Sequence, residues 1–126
     1  MSMTIQTRQS VVLATLAASV LLLVRAAASG QDQGQVREFT VVGDHYTFSP
    51  NAIQVNRNDL VKITFTAKDI PHSLTIDGPY RISKRAAAGQ SATFEFRADN
   101  AGTFTFYCNL TQDARCQDMK GTLTVR

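Results

Sequence analysis

Ala101-Gly-Thr-Phe-Thr-Phe-Tyr-Cys108, followed after a short loop by Met119-Lys-Gly-Thr-Leu-Thr-Val125, is the stretch on which the fold turns. Phe104 and Phe106 alternate with Thr103, Thr105 and Tyr107, the period of a strand with one buried face. Cys108 continues the parity of the two phenylalanines, so ordinary strand geometry aims it at the interior. Leu123 and Val125 give the second run an inward face of the same kind. Cys116 and Met119 lie in the connection between the two runs.

The same period recurs upstream. Leu60 to Thr66 alternates strictly, with Val61, Ile63 and Phe65 on one side and Lys62, Thr64 and Thr66 on the other. Phe39-Thr-Val-Val42 and His45-Tyr-Thr-Phe-Ser-Pro50 read as β runs, the second ending at a Pro-Asn turn. Asn56-Arg-Asn-Asp59 reads as the turn before Leu60. His72, Leu74 and Ile76 share one parity and are expected to face the core, before Asp77-Gly-Pro79 ends that strand. Phe94 and Phe96 alternate with Thr93, Glu95 and Arg97. No helix longer than two turns and no internal repeat is evident. Roughly seven or eight short strands punctuated by turns predict an all-β Greek-key sandwich or barrel.

The N-terminus reads differently. Val11 to Val24 is an unbroken run of apolar and small residues flanked by Arg8 and Arg25, with Ala26-Ala-Ala28 behind it. That order describes a secretory signal peptide cleaved near Ala28, with a retained N-terminal anchor as the alternative. The run is short for a membrane span, which takes about 20 apolar residues. The expected organisation is a signal peptide at 1–28, a polar linker at 29–35 and one domain at 36–126. The expected location is the periplasm or the cell exterior. Of 13 basic and 10 acidic residues, the signal carries two basic and no acidic ones, which leaves 11 against 10 and a net +1. A near-neutral domain without a long basic stretch gives no case for nucleic acid. About 98 residues are enough for a modest core.

His72, Cys108, Cys116 and Met119 together make a soft donor set of the kind copper takes. One imidazole, two thiolates and a weaker thioether are the expected ligands of one metal ion. For the two cysteines the alternatives are a static disulfide, which an exporting route would favour, and a reversible dithiol–disulfide pair. For His72 the alternative is a buried, hydrogen-bonded histidine, and for Met119 a core filler. His45 falls out of phase with Tyr46 and Phe48 and is expected at the surface. It is also the one other histidine in the chain. Gln112 and Asp113 read as polar loop residues. Tyr80-Arg-Ile-Ser-Lys-Arg85 is a small basic cluster, read as a solvated strand or loop, with steering of an acidic partner as the alternative. There is no nucleophile elbow, no paired carboxylate beside a histidine and no phosphate loop, so no enzyme is expected.

With these residues in place, the sequence resembles the cupredoxins, the blue-copper fold of plastocyanin and azurin, over residues 36–126. The pieces that carry the resemblance are Tyr46-Thr-Phe-Ser-Pro50, Asp59-Leu-Val-Lys-Ile-Thr-Phe65, Ile70-Pro-His-Ser-Leu74, Gly89-Gln90, Ala101 to Cys108, and Met119 to Val125. The ligand loop is most similar to that of the copper domain of cytochrome oxidase subunit II. In that loop a second Cys stands at +4, a His at +8 and a Met at +11 from the first Cys. Here +4 is Gln112, +8 is Cys116 and +11 is Met119. The length matches, but the bridging Cys is missing and a Cys replaces the ligand His. The resemblance therefore implies one copper ion rather than two, and electron transfer between periplasmic or membrane redox partners. A Cu(I) carrier that delivers copper to an acceptor is the alternative, and a metal-free module with a Cys108–Cys116 disulfide is a third reading. Pro71 and Ser73 are expected to fix the imidazole of His72, as in the family. The protein is expected to be monomeric.

Overall fold

The computed structural model describes residues 34–126, so the expected signal peptide at 1–28 and most of the expected linker at 29–35 lie outside the described residues. Nine strands and one short 3-10 helix make up the domain: β1 Val36–Asp44, β2 Thr47–Ser49, β3 Ala52–Val55, β4 Leu60–Ala67, β5 His72–Ile76, β6 Ile82–Ala86, β7 Ser91–Arg97, β8 Gly102–Tyr107, the helix Ala114–Asp118, and β9 Lys120–Val125. They form two facing sheets, β2-β1-β4-β7 and β3-β9-β8-β5-β6. The pairs β1–β4 and β3–β9 are parallel, and the others are antiparallel. This is the expected β-sandwich. It has more strands than expected because Ala52–Val55 forms a short strand that was not read from sequence, and the basic stretch read as a strand or loop contributes Ile82–Ala86.

β4 shows how sequence becomes layer. Its alternation is complete, with Val61, Ile63, Phe65 and Ala67 all at most 1% exposed and their neighbours half-buried. Each large apolar side chain buried this way contributes about 1.5–3 kcal/mol. Phe48 from β2 closes the gap between the sheets, its ring 6.0 Å from Phe65 and 5.1 Å from Phe106. Gly121 lies across the β8–β9 ladder from Phe106, and its missing side chain leaves room for that ring.

Asp59, read from sequence as a turn residue, is 2% exposed. Its carboxylate accepts from the backbone N–H of Gln35 (2.8 Å) and of Asn56 (2.9 Å), and from Arg37 Nε (3.4 Å). Burial pushes its carboxyl up, but the two amides and the guanidinium outweigh that and hold it below the ordinary carboxylate range. It thereby ties the start of β4 to the start of β1. β5 departs from simple alternation, since Ser73 and Thr75 are as buried as His72, Leu74 and Ile76. It lies inside its sheet between β8 and β6, and its outward hydroxyls are used, Thr75 Oγ1 meeting Ser83 Oγ at 3.0 Å. Among the described residues no helix is long and apolar enough to cross a membrane.

Candidate metal centre

Two ladders of the five-stranded sheet bring the candidate residues together. β5 pairs with β8 through Thr75↔Tyr107 and Ile76↔Phe106, so the next residues along set the start of β5 beside Cys108. β8 pairs with β9 through Tyr107↔Lys120, and one step further the N–H of Cys108 donates to the carbonyl of Met119 (3.3 Å). Register alone thus gathers His72, Cys108 and Met119 at one end of the sandwich. All are buried, at 0%, 0% and 1% exposure.

His72 is oriented by Asp69, whose Oδ1 is 2.7 Å from Nε2. Burial raises the Asp69 carboxyl, but the backbone amides of Ile70 and His45 and the imidazole itself hold it well below the usual range. An ionised carboxylate can only accept, so Nε2 carries a hydrogen, and the tautomer this selects has its lone pair on Nδ1. Nδ1 is buried and has no hydrogen-bond partner among the described residues. A ring nitrogen made available by a carboxylate on the opposite nitrogen is the arrangement typical of metal-ligating histidines. Asp69 and not Ser73 fixes the imidazole, contrary to the expectation from sequence. Ser73 instead serves the sulfur through its backbone N–H, which donates to Cys108 Sγ (3.4 Å), while its Oγ lies 3.6 Å from the same sulfur and gives its one hydrogen to Asn109 Oδ1 (2.7 Å). Its Oγ also accepts from the N–H of Asn109 (2.8 Å), which sets the chain leaving β8.

Cys116 arrives from the 3-10 helix. Asp113 caps that helix, its Oδ1 accepting from Arg115 N (3.1 Å) and its carbonyl from Cys116 N (3.0 Å). The helix closes with Met119 N–H donating to the Cys116 carbonyl (3.0 Å). Cys116 is 1% exposed, and its sulfur is paired with that of Cys108 as a disulfide, the Cα atoms 5.3 Å apart. A ligand atom of His72 and both sulfurs lie within 4.8 Å of one another. The site therefore has two chemical states: a closed disulfide, and, once reduced, two thiolates facing an unpartnered imidazole nitrogen.

Tyr46 was not singled out from sequence as part of the site. Its ring stands edge-on to His72 with centroids 6.0 Å apart, and its hydroxyl donates to Asp113 Oδ2. That bond is the first cause of both the raised Tyr46 and the lowered Asp113 ionisation. Arg115 lies over the same ring, 3.9 Å from its centroid. The three-residue spacing of Asp69 and His72 was the signal that could have revealed the carboxylate–histidine pair. No comparable local signal marks Tyr46.

The other sequence candidates fall outside the site. The His45 side chain is 85% exposed and meets Asp44 at 2.8 Å, and its backbone N–H donates to Asp69 Oδ2 (3.0 Å). Asp44, His45 and Asp69 form a second cluster, but Lys68 already sits 3.5 Å from Asp44. Gln112 is exposed. Arg81, Lys84 and Arg85 are exposed on or beside β6, an edge strand, where exposed charges discourage sheet-to-sheet association.

Comparison with known proteins agrees with this architecture. No curated protein matches the chain in sequence. Among solved structures, a chain of a heme-copper terminal oxidase dimer superposes with a TM-score of 0.62 at 18% identity, over 71% of this chain and 65% of that one. Auracyanin A, a "blue" copper protein from the green thermophilic photosynthetic bacterium Chloroflexus aurantiacus, gives a TM-score of 0.63 at 16% identity over 72% of this chain and 99% of its own. A multicopper oxidase gives 0.58 at 21% identity over 71% of this chain. This chain spans 65% of the terminal-oxidase chain and 38% of the multicopper-oxidase chain. At these identities the likeness is one of fold. A family model for the cupredoxin-like domain matches residues 12–125, nearly the whole chain, and the protein belongs to the cupredoxin-like family.

Proposed function

We propose that the reduced protein binds one copper ion through His72 Nδ1, the thiolates of Cys108 and Cys116, and the thioether of Met119, and that it passes single electrons between exported or membrane-bound redox partners. The observation that carries this reading is the buried, unpartnered Nδ1 of His72 beside two sulfurs. Leaving a buried ring nitrogen without a hydrogen bond costs about 1–3 kcal/mol, a cost that a bound metal would offset. The donor set of one nitrogen and two or three sulfurs fits copper by softness. Bound copper would supply one-electron chemistry. The chain supplies a dry, stiff cage: Asp69 fixes the imidazole, and the Ser73 backbone N–H draws charge from the Cys108 sulfur.

The domain is proposed to act after export, with residues 1–28 as its signal and without catalytic chemistry of its own. Fully reduced protein reconstituted with Cu(II) should show intense thiolate-to-copper absorption in the visible and one copper per chain. Featureless spectra and no tightly held copper would sink the proposal.

The two thiolates also favour a second reading, a Cu(I) carrier. Transfer of bound Cu(I) to an acceptor protein, with poor one-electron cycling, would select it over electron transfer. Native mass spectrometry with and without reductant, alongside metal content, separates both from a metal-free module with its disulfide closed.

A further inference from the structure

β1 and β2 are joined by the two residues His45 (φ 49) and Tyr46 (φ 61). A two-residue hairpin loop with both residues left-handed is the turn that normally takes Asn-Gly, because side chains other than those of Gly and Asn strain the backbone there. Strain of this kind persists where the surroundings over-determine it, and it points to a use for the side chains. The use is visible at Tyr46, which touches both halves of the site.

We propose that Tyr46 is a positioning residue that locks the Cys116 loop against His72; the inference rests on the copper reading for its purpose but not for its geometry. The Tyr46 ring stands against His72, its hydroxyl is bonded to Asp113, and the carbonyl of Asp113 accepts from Cys116 N (3.0 Å). Arg115, beside Cys116, covers the same ring at 3.9 Å from its centroid. On the turn's other residue, His45 N–H holds Asp69 Oδ2 while Asp69 Oδ1 holds His72. The strained pair thus connects the imidazole's anchor to the cap of the sulfur-bearing helix. The third ligand is supplied by a short helix outside the sheets, and it needs such a tie where Cys108 and His72 are already fixed by strand register.

The test uses the full folded domain in two variants. Tyr46→Phe keeps the ring and removes the bond to Asp113. Copper-loaded Y46F challenged with a Cu(I) chelator should release metal about tenfold faster, as expected for loss of one charge-assisted hydrogen bond. Its visible band should shift, and adding Asp113→Asn should change the rate no further. The paired replacement His45→Asn with Tyr46→Gly relieves the turn. It should raise the melting temperature of the metal-free protein while accelerating copper release. A Tyr46 that merely supports the fold would move both in the unfavourable direction. Wild-type release rates in Y46F, or in the Asn-Gly variant, overturn the proposal. A separate arm needs no metal: in reduced, copper-free protein, amide exchange at Arg115 and Cys116 should be about tenfold faster in Y46F. Unchanged exchange overturns the clamp. Failure of the wild type to take copper overturns the copper reading instead, and leaves the exchange result to decide this one.

Discussion

Reduction of the Cys108–Cys116 pair should lower the melting temperature of the metal-free domain by about 10–20 °C, and copper should restore it. The two cysteines are eight residues apart, so the bond closes a short loop. Cross-linking a loop of that length removes about 8 cal/mol/K of chain entropy from the unfolded state, or about 2.5 kcal/mol at 25 °C. In a domain of this size each kcal/mol is worth roughly 4–8 °C. Both thiols stay buried after reduction, at 0% and 1% exposure, so no large packing loss is added. A metal that binds the native state alone returns about 2.7 kcal/mol when its free concentration is a hundred times its Kd. Copper at that level just offsets the lost cross-link, and each further tenfold adds about 1.4 kcal/mol. The assay is thermal unfolding followed by circular dichroism on four samples: oxidised and phosphine-reduced protein, each with and without buffered Cu(I). Equal melting of the oxidised and reduced samples would show that the sulfurs are not paired in solution. A reduced sample insensitive to copper would refute the metal centre. An oxidised sample that gains as much from copper as the reduced one would refute the reasoning itself, which holds that one pair of sulfurs cannot serve both states.

Asp59→Asn should destabilise the domain by about 2–3 kcal/mol at pH 7, because it removes a carboxylate bonded to two amides and Arg37. The folded carboxyl lies below its unfolded value, so its contribution is present above about pH 4 and lost as pH falls through the folded value. Urea melts should therefore show the variant converging on wild type in acid; an equal gap at pH 7 and pH 3 would contradict this. Cys116→His exchanges one thiolate for an imidazole and abolishes the disulfide. Copper should still bind, at one per chain, and its uptake should no longer depend on prior reduction, as read from absorption and metal content. Gly121→Ala should cost about 1–3 kcal/mol, since the new methyl would run into the ring of Phe106, itself 1% exposed and packed on Phe48. A denaturation midpoint equal to wild type would disprove that contact.

Periodicity alone was enough for the layers and for the inward aim of two candidate residues. Alternation in Leu60–Ala67 needs only the two-residue repeat of a strand, and the same repeat turned Cys108 and His72 inward before any partner was known. The resemblance supplied the order of the pieces and the spacing of Cys116 and Met119. Where a property depended on what lies across a ladder or between sheets, the local pattern was silent or misleading. Ser73 and Thr75 have outward parity and are nonetheless buried, because β5 sits inside its sheet. His45 and Tyr46 looked like strand, because nothing in them advertises a left-handed turn. Asp59 read simply as a turn residue, and its burial depends on the N–H groups of Gln35 and Asn56 that close on it. The pairing of Cys116 with Cys108, the hold of Asp69 on His72, and the reach of Tyr46 to Asp113 each join groups brought together by register and loop packing. Periodicity tells a side chain which face it is on. Only the assembled sandwich decides what it meets there, because that distance is set by every strand between the two.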